Sequence, residues 1–244
     1  MAEWFESWFD SEEYLKVYKH RDENEARLFV NSIISVINIK SKSKILDLAC
    51  GAGRHSIEFA KKGFPVTAVD LSKNLLKNAK INAQNANVNI NFMQADLRNF
   101  YINEKFDLVL NLFTSFGYFE TDEDNFKVFQ IAYNYLHENG FFVFDYFNKK
   151  HVENNLIPST NFKINDTEII QKRYIKNGRV IKDITIKKNG YEKHFNESVK
   201  IYSLKKIKSE LVVNKFKIKN IFGSFDKAEY DENLSDRIII IAQK

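Results

Sequence analysis

Between residues 44 and 147, short apolar runs alternate with segments whose apolar positions recur every three or four residues. Read as buried strands and amphipathic helices, they predict elements at 44–49, 54–62, 65–70, 73–84, 88–93, 106–112, 122–137 and 141–147. Strands separated by helices run parallel, so this stretch predicts a doubly wound α/β sheet. Residues 3–38 read as helical, with Trp4, Phe5, Trp8 and Phe9 on one stripe and Leu28, Phe29, Ile33, Ile34 and Ile37 on a later one. Such stripes are ordinarily core packing. From Glu168 to Phe195 the period drops to two, with Asn-Gly pairs at 177–178 and 189–190 placed as two-residue hairpin turns require. That predicts a three-stranded meander reaching about Tyr202. An amphipathic helix near 204–214, a strand at 215–222 and a last strand at 236–244 complete the chain.

The candidate chemistry sits at strand ends. In ILDLACGAGRHS (45–56) a buried strand opens through a glycine turn onto a helix. Gly51 and Gly53 let the backbone turn and approach a ligand without Cβ interference, and the helix start adds N–H groups at its positive end. The next strand ends in Asp70, a carboxylate placed where ribose hydroxyls lie in such folds. A third acid, Asp96, follows the short strand NINF, where it can accept from an adenine amino group.

Together these residues resemble the class I, Rossmann-like S-adenosylmethionine-dependent methyltransferases. The resemblance runs from about residue 12 to the C-terminus and is closest to a bacterial subgroup of small methyltransferases with a strand-rich insertion. It implies a mostly parallel seven-stranded sheet with an antiparallel last strand, and a β-meander after the fifth strand forming a canopy over the substrate. It also implies S-adenosyl-L-methionine as cofactor, with Asp47, Gly51 and Gly53 bordering its methionine part, Asp70 its ribose, and Leu71, Asp96 and Leu97 its adenine. Tyr14, Tyr18 and Arg21 match a lid carried on the subgroup's N-terminal helix. The implied organisation is a helical lid at 1–40, a cofactor-binding core at 41–150, a canopy at 151–203 and a closing helix and strand pair at 204–244. Ala52 stands where the family usually has Thr or Ser, and Lys200 where it carries Arg. An NAD-binding domain is the nearest competitor, but Ser56 replaces the third glycine of its fingerprint, and no second domain long enough to bind a hydride partner follows.

Acceptor residues are less legible, because pocket shape has no motif. FDLVLNLFTSFGYF (106–119) and FFVFDYFN (141–148) each end where open α/β sheets place ligands. Asn111 is taken with the cofactor residues, and Tyr118, Asp145 and Tyr146 as candidate catalytic residues on the acceptor side. Asp145 stands out because a carboxylate ending an apolar run needs a partner.

Charge divides the chain unevenly. Residues 1–150 carry 18 Lys and Arg against 20 Asp and Glu, and residues 151–244 carry 19 against 12, so the net +5 belongs to the C-terminal part. Solvent-facing lysines of this kind ordinarily protect strand edges, and an anionic acceptor is the sharper reading. One cysteine, Cys50, excludes an intramolecular disulfide, and the five histidines lack metal-ligand spacing, so no metal is expected. The start of the chain lacks the pattern of an export signal and no apolar run reaches membrane-spanning length, which predicts a cytoplasmic protein. The expected activity is methyl transfer to O, N or C of a small molecule, without nucleic acid. An RNA- or protein-directed methyltransferase, or a cofactor-binding module without turnover, is the alternative.

Overall fold

A computed structural model describes residues 3–18 and 23–244. Its central sheet contains β1 (Ile45–Leu48), β2 (Val66–Asp70), β3 (Asn91–Gln94), β4 (Phe106–Asn111), β5 (Leu136–Phe147), β10 (Lys217–Phe222) and β11 (Arg237–Gln243). The order is β10-β11-β5-β4-β1-β2-β3, and β11 runs antiparallel to both its neighbours while the other pairs are parallel. The helices are α1 (Trp4–Phe9), α2 (Glu12–Val17), α3 (Glu23–Ile37), α4 (Arg54–Lys61), α5 (Lys73–Asn85), α6 (Asp122–Tyr135), α7 (Lys149–Asn155) and α8 (Leu204–Val213). The expected fold class is therefore the observed one.

Period two along the buried strands sends alternate side chains to opposite helical layers. On one face Val109, Phe142, Phe144, Ile238 and Ile240 pack against Phe126 and Phe129 of α6 and Ile207 and Leu211 of α8. On the other, Leu108, Leu110, Val143, Ile239 and Ile241 meet Phe29, Val30 and Ile33 of α3 and Phe59 of α4. Full burial of each such side chain contributes about 1.5–3 kcal/mol.

The structure departs from the expected elements in three places. The canopy has four strands, β6 (Ser159–Ile164), β7 (Thr167–Lys176), β8 (Arg179–Lys188) and β9 (Tyr191–Lys200), not three. Both Asn-Gly turns form as expected, with positive φ at Asn177, Gly178, Asn189 and Gly190. The turn before β7 uses Asn165, also at positive φ, followed by Asp166, a weaker signal than Asn-Gly. A second departure is α7, capped by the Asn148 side chain through the Lys150 N–H at 3.2 Å. Finally, the helical text at 3–38 breaks at Ser11, whose hydroxyl accepts from the Tyr14 N–H and starts α2.

The N-terminal segment has a core of its own with the canopy. Trp8 and Val17 are buried against Ile169, Ile184 and Ile186 of the meander, with Trp4, Phe9, Tyr14, Tyr18 and Phe195 around them. Hydrophobic burial therefore joins the N-terminal helices to the canopy.

Candidate functional site

A cavity of about 560 Å³ lies between the C-terminal ends of β1, β2 and β4, the N-terminal helices and the canopy. The parallel strands aim their ends and following loops at one place, as open α/β sheets do.

The turn after β1 is set by backbone conformation. Gly51 has φ +57° and open space where a Cβ would stand, while Gly53 has φ +82° and would bring a Cβ to 3.2 Å from that of Ala79. Both conformations suit glycine, and the second position is also tight. Gly53 serves as the left-handed residue preceding α4 and does not itself line the cavity.

The acids end on this turn. Asp70 accepts from the Gly51 N–H at 2.7 Å and from the Ser72 N–H at 2.9 Å, fixing the loops after β1 and β2 together. Asp47 accepts from the Ser56 hydroxyl at 2.5 Å. Burial pushes the Asp47 carboxyl up to about 7, with nearby Asp70 adding to the rise, and burial raises Asp70 as well. Among the described residues no Lys or Arg forms an ion pair with either. A wall with two buried, unpaired acids suits a ligand that brings hydroxyl donors and positive charge. S-adenosylmethionine has both: ribose hydroxyls, an ammonium and a sulfonium. The open face of Gly51 leaves room for backbone approach, so these residues fit that cofactor.

Asp96 differs. Burial pushes its carboxyl up, but the Arg98 guanidinium, donating to both oxygens at 2.6–3.1 Å, holds it below the usual range. Arg98 also reaches Glu3 at 2.9 Å and lies over the Phe119 ring, joining the Asp96 loop to the start of α1. Leu71 and Leu97 line the cavity beside these groups.

The other walls are aromatic. Trp4, Phe9 and Tyr118 pack edge to face or tilted at centroid distances of 5.3–5.7 Å, and Tyr14 bridges Phe9 to Tyr18 at 5.1 and 4.9 Å. Tyr14, Tyr18 and Tyr118 therefore stand at the cavity. Arg21 lies outside the described residues. Overhead, β8 and β9 contribute Val180, Lys182, Glu197 and Val199.

Three expected site residues stand behind the wall of the cavity. Asp145 is fully buried, accepts from Arg237 at 2.8 Å and from the Phe113 N–H at 2.7 Å, and does not line the cavity. Tyr146, one residue on, points to the opposite sheet face, where it is fully buried and donates to the Lys200 carbonyl. Burial raises its phenol well above the ordinary value. Asn111 is also buried, its amide donating at 3.2 Å to the carbonyls of Leu48 and Ser115. These residues brace the loop from Leu112 to Phe119, all of which lines the cavity. Phe113 and Thr114 in that loop adopt positive φ, a cost that the bonds from Asp145 and Arg237 help to hold.

A residue with almost no signal in the sequence holds the loop from above. Arg179, nearly buried, donates to the carbonyls of Gly117, Tyr118 and Phe119 at 3.0–3.2 Å and to Ser198. Its only sequence signal was an arginine directly after the Asn177-Gly178 turn. Trp4 and Phe9, on a stripe that predicts core packing, pack in that way and also wall the cavity. Cys50 lines the cavity too, with its thiol pushed well up by burial and by the Asp70 and Asp47 carboxylates, which keeps it neutral.

Comparison with known proteins fits this geometry. Residues 39–197 match the family profile described as a methyltransferase domain. YqeM of Bacillus subtilis, provisionally named a methyltransferase, is 32% identical over 133 residues, covering 54% of this chain and 53% of that protein. A glycine/sarcosine N-methyltransferase of Parasynechococcus marenigrum is 32% identical over 148 residues, covering 60% and 51%. The chain thus spans about half the length of these curated relatives. The crystal structure of an S-adenosylmethionine-dependent methyltransferase from Clostridium acetobutylicum superposes with a TM-score of 0.81 at 22% identity, over 94% of this chain and 95% of that one. At that identity the likeness establishes the fold.

Proposed function

Since this chain belongs to the methyltransferase-domain family, we propose that its cavity binds S-adenosyl-L-methionine and directs its methyl group to a small-molecule acceptor beneath the canopy. When bound, the cofactor supplies a methyl group on a positively charged sulfur that leaves as a neutral thioether. The observation that carries the reading is the pair of buried acids, Asp47 in β1 and Asp70 at the end of β2, neither paired with a cation among the described residues.

In this reading Asp70 accepts from the ribose hydroxyls, Asp47 faces the cationic methionine end, and Asp96, Leu97 and Leu71 hold the adenine. Tyr14 and Tyr18 close the cavity from the N-terminal side. The reacting groups need alignment more than acid–base help, and alignment with water excluded supplies about 7–11 kcal/mol of a barrier. Trp4, Phe9 and Tyr118 exclude water, and the twice-anchored loop 112–119 sets the acceptor's position. Asp145 and Tyr146 act through that loop as braces, and only Tyr118 of the three acceptor-side candidates touches the ligand space. A small-molecule acceptor is supported by an aromatic-walled cavity and by the relative named for methylating glycine and sarcosine.

The test incubates the protein with methyl-labelled S-adenosylmethionine and a metabolite extract, and separately with a tRNA pool and a protein extract. Label in a small molecule, identified by mass spectrometry, is the expected result. Label in RNA or protein overturns the acceptor class, and cofactor binding with no labelled product in any arm overturns the enzyme.

A further inference from the structure

One polar cluster interrupts the apolar canopy. Lys182 of β8 and Glu197 of β9 are direct cross-strand partners, with Nζ and Oε2 2.7 Å apart. Val180 and Val199, two residues along on the same face, continue the ceiling as apolar surface. The pair is nearly withdrawn from solvent, its side chains 18% and 13% exposed. Burial pushes the Glu197 carboxyl up, and Lys182, with hydrogen bonds from Tyr18 and Trp8, holds it below the usual range. Tyr18 donates to Oε1 at 2.5 Å, Trp8 to the same oxygen at 2.7 Å, and Lys182 donates to the Tyr18 hydroxyl at 2.5 Å. Among the described residues a further charged neighbour on that face, Arg173, stands across from Lys182 and donates to Thr160 and Gln171.

As a mere fastening between canopy and N-terminal helices this pair is a poor choice. Removing two charges from water costs several kcal/mol, and apolar residues of similar volume commonly hold such a joint as well or better. The surrounding contacts already do so, through Trp8, Val17, Ile184 and Ile186. What the pair offers that apolar residues do not is a donor and an acceptor side by side, facing the cavity at the spacing of one hydrogen bond.

We propose that Lys182 and Glu197 recognise the acceptor, and that the acceptor is a small molecule with an amine beside an oxygen acceptor, as in an amino alcohol, amino sugar or amino acid, on an apolar or aromatic body. The inference rests on the methyl-transfer reading and adds the substrate class. A ligand with only one of the two groups would engage one member of the pair and leave the other unmatched, whereas one presenting both groups meets Glu197 with its amine and Lys182 with its oxygen. A site built from hydrogen-bonding groups also rejects analogues lacking one of them far more sharply than an apolar pocket does. Phe9, Tyr14 and Tyr118 provide the surface for the body.

The test uses the whole chain saturated with S-adenosylhomocysteine and four probes on one skeleton: phenylalanine, phenylalaninol, phenethylamine and 3-phenylpropanoate. Binding is followed by ligand-observed NMR and tryptophan fluorescence. We expect at least one two-group probe to bind at least tenfold tighter than both single-group probes, with Lys182→Met and Glu197→Gln removing that advantage and Lys182→Arg restoring part of it. S-adenosylhomocysteine affinity should stay within twofold in all variants that fold. Equal binding of one- and two-group probes, no binding of any two-group probe, or an advantage that survives both substitutions overturns the proposal and leaves the pair as a fastening. If Lys182→Met does not fold, the comparison of wild type with Lys182→Arg and the probe ranking on wild type still decide. Failure of S-adenosylhomocysteine to bind the wild type would instead overturn the methyl-transfer reading.

Discussion

The two walls of the cavity handle charge in opposite ways. At the sheet side Asp47 and Asp70 accept from a hydroxyl and from backbone N–H groups, and no cation among the described residues pairs with them. At the canopy side Lys182 and Glu197 pair with each other, Lys200 pairs with Asp122, and Arg179 is spent on loop carbonyls. Two acids left without a cation partner suit a ligand that carries positive charge. A wall whose charges are already matched can select by shape and by the arrangement of donors and acceptors, while its polar groups also hold the loop in place. The braces behind the walls follow the canopy's rule, since Asp145 is matched by Arg237.

The largest effect should come from breaking a matched pair. Asp145→Ala leaves the Arg237 guanidinium, 15% exposed, without its carboxylate and the Phe113 N–H without its acceptor. Uncompensated charges of this kind cost about 3–5 kcal/mol, which urea unfolding will read. If stability is unchanged while methyl transfer disappears, Asp145 acts in the reaction directly and the brace assignment fails.

Removing an unmatched acid should act on the ligand instead. Asp70→Ala is expected to weaken S-adenosylhomocysteine binding tenfold or more in calorimetry, since charge-assisted hydrogen bonds are worth about 1.5–3 kcal/mol. Unchanged affinity in a folded variant would remove Asp70 from the cofactor site.

The smallest effect is a proton. The Asp47 carboxyl titrates at about 7 in the folded chain against an ordinary 3.8, so below pH 7 it is mostly protonated. Its contribution to stability is fully present below 3.8 and is lost as the pH rises through about 7, because the folded state holds a proton the unfolded chain has released. A ligand that brings positive charge favours the ionised form, so binding near pH 6 should release protons and tighten as the pH rises to about 7. Calorimetry of S-adenosylhomocysteine in buffers of different ionisation enthalpy measures this directly. Proton uptake, or none, would mean that the ligand's cation does not face Asp47.

Much of this was legible from local sequence. Strand period, glycine pair, Asn-Gly turns and the acids closing β1, β2 and the β3 loop are all features of contiguous residues, because a strand end, a turn and a helix start are set by near neighbours. From those signals came the doubly wound sheet, its antiparallel last strand by resemblance, and Asp47, Gly51, Asp70, Leu71, Asp96 and Leu97 at the ends of three neighbouring strands. The fourth canopy strand was missed where its turn, Asn165-Asp166, lacked a glycine.

What only the tertiary structure decided is which charges meet. Asp145 and Arg237 are 92 residues apart, Trp8 and Glu197 189, and Arg179 finds carbonyls about 60 residues back along the chain. No periodicity or motif encodes such pairs, because a side chain's partner is fixed by how sheet, canopy and N-terminal helices stack. Period two made Asp145 and Tyr146 neighbours in sequence and opposites in space, so one was matched by Arg237 and the other donates to Lys200. The sequence by itself determined the fold and the strand ends at which Asp47, Asp70 and Asp96 stand. Packing of distant segments determined the cavity's ceiling, its aromatic walls and the braces behind them, because burial of charge is a property of neighbours in space.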